Sequence, residues 1–133
     1  MRLLLDTHAF LWTLSAPKRL PAAARNTIAN ADNEVLVSAV TFWEISIKIR
    51  LGKLRPAEAH PSDLVSTAET LGFLTIPLSP DEAATYGGLS EPTHNDPFDR
   101  MLAWQAISRK LVLVSGDREF ERFKPDGLKL LWK

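Results

Sequence analysis

Arg2-Leu3-Leu4-Leu5-Asp6 is a continuous apolar run that stops on a carboxylate. Continuous rather than alternating hydrophobicity predicts a short strand buried on both faces, as at the centre of a parallel sheet. A second run, Leu111-Val112-Leu113-Val114-Ser115-Gly116-Asp117, ends the same way. Between them Glu34 to Val40 and Phe73 to Leu78 read as strands, and Leu128 to Trp132 as a fifth at the edge. The intervals read as helices. Thr7 to Leu14 stops near Ala16-Pro17, and Pro21 opens a helix to about Ala31, with proline at a favoured first position. The next helix begins at Thr41-Phe42-Trp43-Glu44 and stops at Gly52, and Pro61 to Leu71 is closed by Gly72. Ser79-Pro80-Asp81-Glu82 opens a short helix, and Asp96-Pro97 opens one that reaches about Lys110. Strands separated by helices pair in parallel with helices on both faces. The expected fold is therefore α/β: a three-layer α/β/α sandwich around a central, mainly parallel sheet of four to five strands.

The chain has 133 residues and no internal repeat, linker or low-complexity tract, so residues 1–133 read as a single domain. The absence of cysteine excludes disulfides, zinc-thiolate sites and thiol nucleophiles. Formal net charge is +0, so a nucleic-acid substrate would be held locally rather than by a broad basic surface. The opening Met1-Arg2-Leu3-Leu4-Leu5 is interrupted by Asp6 and His8 before it can act as a signal peptide. No stretch approaches the roughly 18 to 20 apolar residues of a membrane span, and a cytoplasmic location is expected.

In a parallel sheet the strand ends and the starts of the following helices share one edge, where open α/β proteins bind ligands. Asp6 and Asp117 fall at strand ends, and Glu44 and Asp99 in the expected first turns of helices. Helical spacing puts Glu44 on a stripe with Ile47 and Leu51, and Asp99 on one with Ala103 and Ala106, aiming both toward the sheet. Carboxylates gathered without a cation repel one another, and a divalent ion relieves the repulsion. Magnesium or manganese held this way can activate water for phosphodiester hydrolysis, with no protein nucleophile.

Each acid also has a purely structural reading. Thr41-x-x-Glu44 matches a helix capping box. Asp96 before Pro97 reads as an N-cap, and Asp99 can serve the helix dipole. Asp6 and Asp117 can be turn formers. Convergence on one rim favours the shared role.

At these residues the chain resembles the PIN-domain ribonucleases, specifically VapC-type toxins of type II toxin–antitoxin pairs. Leu3-Leu4-Leu5-Asp6-Thr7-His8 is similar to their opening strand and first acid, and Val37 to Ile45 to the second-acid segment. His94-Asn95-Asp96-Pro97-Phe98-Asp99-Arg100-Met101-Leu102 is similar to the third segment, and Leu113-Val114-Ser115-Gly116-Asp117 to the fourth. The resemblance implies a metal-dependent endoribonuclease that cleaves RNA and inhibits growth until a small VapB-like antitoxin neutralises it. It implies Mg2+ or Mn2+ held chiefly by Asp6 and Asp99, with Glu44 and Asp117 completing the acidic pocket. Ser115 would support the last acid, Asp96 is a further participant to be tested, and a homodimer is implied.

Arg100 beside Asp99 is expected to contact RNA phosphate. So, with less support, is the basic cluster Lys48, Arg50, Lys53 and Arg55, and Arg118 and Arg122 lie near the proposed rim. Trp12, Trp43 and Trp104 read as core or interface packing rather than base stacking. Phe10, Leu11 and Leu14 could line a partner groove, and His8 and His60 read as locally hydrogen-bonded. Two other functions compete. A phosphoacceptor signalling domain would want adjacent acids after the first strand and a lysine after a late one, and both are missing here. A catalytically silent relative would bind an antitoxin only. No G-x-G-x-x-G, P-loop or G-x-S-x-G elbow is present.

Overall fold

The structure is a computed structural model that describes residues 1–55 and 60–133. Its strands are β1 (Arg2–Leu5), β2 (Glu34–Ser38), β3 (Leu74–Ile76), β4 (Val112–Val114) and β5 (Lys129–Leu131). They form one sheet in the order β3-β2-β1-β4-β5, with every pair parallel. The helices are α1 (Thr7–Ser15), α2 (Ala22–Ala29), α3 (Ala39–Arg50), α4 (Pro61–Thr70), α5 (Pro80–Thr85) and α6 (Pro97–Arg109), with short 3-10 turns between some of them. Among the described residues no helix is long and apolar enough to cross a membrane.

β1 lies at the centre because it has no polar face to offer water. Leu3 and Leu5 face one layer, with Phe10, Ala24, Ile45, Leu64 and Ala68, whereas Leu4 faces the other, with Leu102, Ala106, Phe120 and Phe123. All three leucines are fully buried, each contributing about 2 kcal/mol of transfer free energy. Chain order reverses at β1, so the β1/β4 crevice is the topological switch point, where such sheets bind ligands.

Several element ends differ from expectation. β2 stops at Ser38, whose side chain accepts from the Val40 amide at 3.0 Å and so starts α3 two residues before Thr41. The Thr41-x-x-Glu44 capping box therefore does not form, and Glu44 sits in the second helical turn rather than the first. The stripe carrying Glu44 is Val40, Thr41 and Ile45; Leu51, expected on it, is 53 % exposed. Pro21 caps α2 from outside instead of opening it. Phe10 is wholly buried and packs edge-on against Phe42, so it lines no partner groove. Trp43 is 57 % exposed against Phe98, so it is not core, while Trp104 is half-buried and donates to Thr85.

Candidate active site

Asp6 leaves β1 and becomes the N-cap of α1, its Oδ1 accepting the Ala9 amide at 2.7 Å. It is 5 % exposed. Burial pushes its pKa up to about 6, opposed by the Ser115 hydroxyl and the Ala9 amide and assisted by the charges of Asp117 and Glu44. Asp117 enters from β4 through the Ser115-Gly116 turn. Its amide donates to Ser115 Oγ at 3.0 Å, and its own Oδ1 accepts the Glu119 amide at 2.9 Å. Ser115 thus serves both strand-end acids, accepting from the backbone of Asp117 and opposing the rise in the Asp6 pKa. Asp117 is itself exposed to solvent.

Glu44 reaches the rim from α3 and is 3 % exposed. Its Oε1 accepts from Thr7 Oγ1 at 2.6 Å, tying it to the residue after Asp6, and its Oε2 accepts from Lys48 Nζ at 2.5 Å. Burial opposes the charge on Lys48, yet the Glu44 hydrogen bond and the fields of Glu44, Asp96 and Asp99 hold its pKa above the usual lysine value. Asp99 stands in the first turn of α6 and accepts from His94 Nε2 at 3.0 Å. Burial again lifts its pKa to about 6; the His94 hydrogen bond opposes this, and the charges of Asp96 and Glu44 add to it. Asp96 is spent on the cap, its Oδ1 accepting the Phe98 and Asp99 amides at 2.9 and 3.1 Å.

The four acids named from the sequence therefore share one neighbourhood, linked by their mutual fields: Asp6 feels Asp117 and Glu44, and Asp99 feels Glu44. Their donors are all carboxylate oxygens, which suits a hard divalent cation. Thr7 and Lys48 hold Glu44 in place, and His94 holds Asp99. Among the described residues no three His, Asp or Glu side chains are gathered closely enough to hold an ion. The donor chemistry fits a metal, whereas the present spacing leaves the acids to lysine and histidine.

The other expected contacts are placed differently. The Arg100 guanidinium turns inward, donating to the carbonyls of Glu91 and His94 at 2.8 and 2.9 Å and lying over the Tyr86 and Phe123 rings. Through Nη1 it braces the loop before Asp96. Arg122 pairs with Glu119 at 2.6 Å and also donates to Thr93. Lys48 belongs to the acid site, while Arg50, Lys53 and Arg55 stay exposed. His60 caps α4, and His8 is exposed beside Trp12. Sequence reasoning passed over Thr7, the Lys48 contact, the His94 contact and Trp132. The Glu44/Lys48 contact had a signal in its i, i+4 spacing. The His94 and Trp132 placements depend on loop closure and had none.

Comparison with known proteins comes to the same place. Residues 3–124 match the family described as PIN domain. The chain is 30 % identical over 129 residues to Ribonuclease VapC22 of Mycobacterium tuberculosis, covering 97 % of each. It is 41 % identical over 61 residues to Ribonuclease VapC16 of the same organism, covering 46 % of this chain and 42 % of that protein. Among solved structures, it superposes with a TM-score of 0.70 at 19 % identity on a chain of VapBC2 from Rickettsia felis, solved with a promoter DNA fragment, covering 100 % of both chains. With a chain of DNA-bound VapBC from Salmonella typhimurium the TM-score is 0.69 at 23 % identity, covering 98 % and 97 %. These structural likenesses fix the fold.

Proposed function

The chain belongs to the PIN-domain family, and on that premise we propose that it is an endoribonuclease toxin acting as one domain over residues 1–133. The observation that carries this reading is the acidic rim at the switch point, where Asp6 and Asp99 have carboxyl pKa values near 6 and Lys48 and His94 are hydrogen-bonded to Glu44 and Asp99.

Asp6, Asp99, Asp117 and Glu44 would hold Mg2+ or Mn2+. Such an ion supplies Lewis-acid activation of water and stabilisation of the departing 3′ oxygen. The protein's part is positional. The Ala9 amide and Ser115 fix Asp6, and Ser115 and the Glu119 amide fix Asp117. Thr7 aims Glu44, and His94 aims Asp99 from the loop that Arg100 braces. Lys48, already bound to Glu44, is a cation of the acid site available to a phosphate. The relative named as a ribonuclease makes RNA the substrate class. A small VapB-like antitoxin is the restraining partner in this reading, supported by the VapBC complexes of like fold, and the cytoplasm is the proposed location. We assign a homodimer, with Trp43 and Leu51, 57 % and 53 % exposed, as the apolar surface offered by α3 and its end.

The test is cleavage of a total RNA pool by purified, antitoxin-free protein with Mg2+ or Mn2+, with EDTA, and with Asp6→Asn and Asp99→Asn. Discrete cuts that need metal and vanish in both variants are expected. A folded, metal-loaded protein that cuts nothing would leave an antitoxin-binding module without catalysis. Cuts that persist in both variants would put the chemistry elsewhere.

A further inference from the structure

Beside the acids lies a cleft of about 500 Å³ lined by Asp6, His8, Trp12, Arg19, Gly116, Asp117 and Trp132. That volume falls within the range of small-molecule sites, roughly 300 to 1,000 Å³. Two of its walls are indoles from opposite ends of the chain, Trp12 on α1 and Trp132 just beyond β5, with ring centroids 5.9 Å apart at 46°. The exposed imidazole of His8 adds a third ring, 5.8 Å from Trp12. The Arg19 guanidinium lies 4.7 Å from the centroid of the Trp12 ring.

The cleft is shaped by the turn that carries Asp117. A Cβ on Gly116 would stand 2.6 Å from Cε2 of Trp132, so only glycine lets the indole close against the loop between Ser115 and Asp117. The position of the indole is thereby coupled to that of a site acid. Trp12 and Trp132 are both half-buried, packed on the core at one side and open to the cleft at the other.

We propose that this cleft is a nucleotide subsite in which one unstacked base of the RNA strand packs against Trp12 and Trp132 while Arg19 meets a neighbouring phosphate. The proposal rests on the ribonuclease reading and adds where the strand lies. Single-stranded RNA is recognised by stacking its bases on aromatic side chains, with arginine serving the backbone. Asp6 and Asp117 form one wall, so a nucleotide seated here places an adjoining phosphodiester at the acid rim. With a net charge of +0, such a local seat holds the strand without a large excess of positive charge. Ring faces tolerate every base, with preference graded by stacking strength, so this subsite weights the choice of cut site without dictating a sequence.

Two experiments test it. In the first, Asp99→Asn silences cutting without touching the cleft, and Trp43→Phe with Trp104→Phe leaves Trp12 and Trp132 as the reporters of fluorescence. Hexaribonucleotides of A, U or C should quench that emission saturably. Hexamers carrying an abasic position at the seat should bind about tenfold more weakly. Absence of quenching by every hexamer, or equal binding of abasic hexamers, would overturn the proposal. So would quenching by an aromatic peptide but by no RNA, which would mark the cleft as a protein seat.

In the second, Trp132→Leu and the surface change Arg19→Glu are placed in the cutting-competent chain. KM should rise about tenfold in both, with kcat within about twofold for Arg19→Glu, and Trp132→Leu should alter the base preferred beside the cut. Unchanged KM and preference in both variants would remove the subsite while leaving the nuclease intact. Hexamer binding in a protein that cuts no RNA would instead remove the nuclease reading.

Discussion

Two sets of buried carboxylates in this small domain meet opposite fates. Glu82 in α5 receives Arg109 at 2.6 and 2.9 Å, Gln105 Nε2 at 3.1 Å and the Ser79 amide at 3.0 Å. The Arg109 hydrogen bonds, outweighing burial and joined by those from Ser79 and Gln105, hold its pKa down at about 2. Asp6 is buried and Asp99 half-buried, neither has an arginine or lysine hydrogen-bonded to it among the described residues, and burial lifts each to about 6. The contrast separates structure from function. Arginine serves Glu82, whereas at the switch-point rim Asp6 has neutral donors and Asp99 a histidine.

The two sets are also connected. Gln105, wholly buried, accepts from Ser38 Oγ at 2.5 Å while donating to Glu82. Ser38 caps α3, which carries Glu44, and Gln105 lies on α6, which carries Asp99. The well-paired network thus fixes the two helices that present Glu44 and Asp99. Site residues held on elements backed by such a support are the arrangement a preorganised cation site needs.

The largest contrast should appear in activity. Asp6→Asn or Asp99→Asn should lower RNA cleavage at least about a hundredfold, the loss of several kcal/mol of charge stabilisation. Glu82→Gln should keep most of it at a temperature where the variant stays folded. Equal losses in initial rate would erase the distinction between the two sets.

Stability should move the other way. Glu82→Ala strands Arg109, which is 28 % exposed at the side chain, and should cost about 2 kcal/mol, less than a fully buried pair. Urea midpoints of variant and parent measure this, and a midpoint unchanged from the parent would show the network to be idle. Asp6→Asn keeps an oxygen for the Ala9 amide and removes a buried charge, so it should gain about 1 to 2 kcal/mol at pH 7 in the absence of metal.

The sign of the pH dependence follows from proton binding. Asp6 and Asp99 hold protons more tightly folded than unfolded, so their contribution falls as pH rises from about 4 through about 6. Glu82 holds its proton less tightly folded, so its contribution is present above about 4.5 and is lost as pH falls toward about 2. The advantage of Asp6→Asn should therefore disappear near pH 4, whereas the deficit of Glu82→Ala persists there. Thermal melts across this range separate the two, and parallel curves would refute the assignment.

The smallest effect concerns Thr41. Its hydroxyl is buried and has no hydrogen-bond partner among the described residues, and Thr41→Val should gain about 1 kcal/mol. Destabilisation on melting would show that the hydroxyl has work the contacts do not reveal.

Much of this was legible in the sequence because period and punctuation are local. Leu3-Leu4-Leu5 and Leu111 to Val114 announced buried parallel strands, and Asp96-Pro97 announced a helix start that the structure places at Pro97. Thr41-x-x-Glu44 misled because Ser38, three residues earlier, was an equally good cap and the strand ended on it. The gathering of acids was inferred from topology. Their counter-ions were not, because Arg109 and Glu82 are 27 residues apart and His94 reaches Asp99 only through a loop. Arg100 looked like a phosphate contact from its place beside Asp99, but its direction depends on carbonyls that only the folded loop supplies.

The most direct measurement is a carboxyl-detected NMR titration of Asp6 and Asp99, with and without Mg2+, using Glu82 as the internal reference. The account predicts midpoints near 6 for both aspartates without metal, falling below about 4 when Mg2+ is added, while Glu82 stays near 2 in either condition. Aspartates that titrate near 4 and ignore Mg2+ would contradict it.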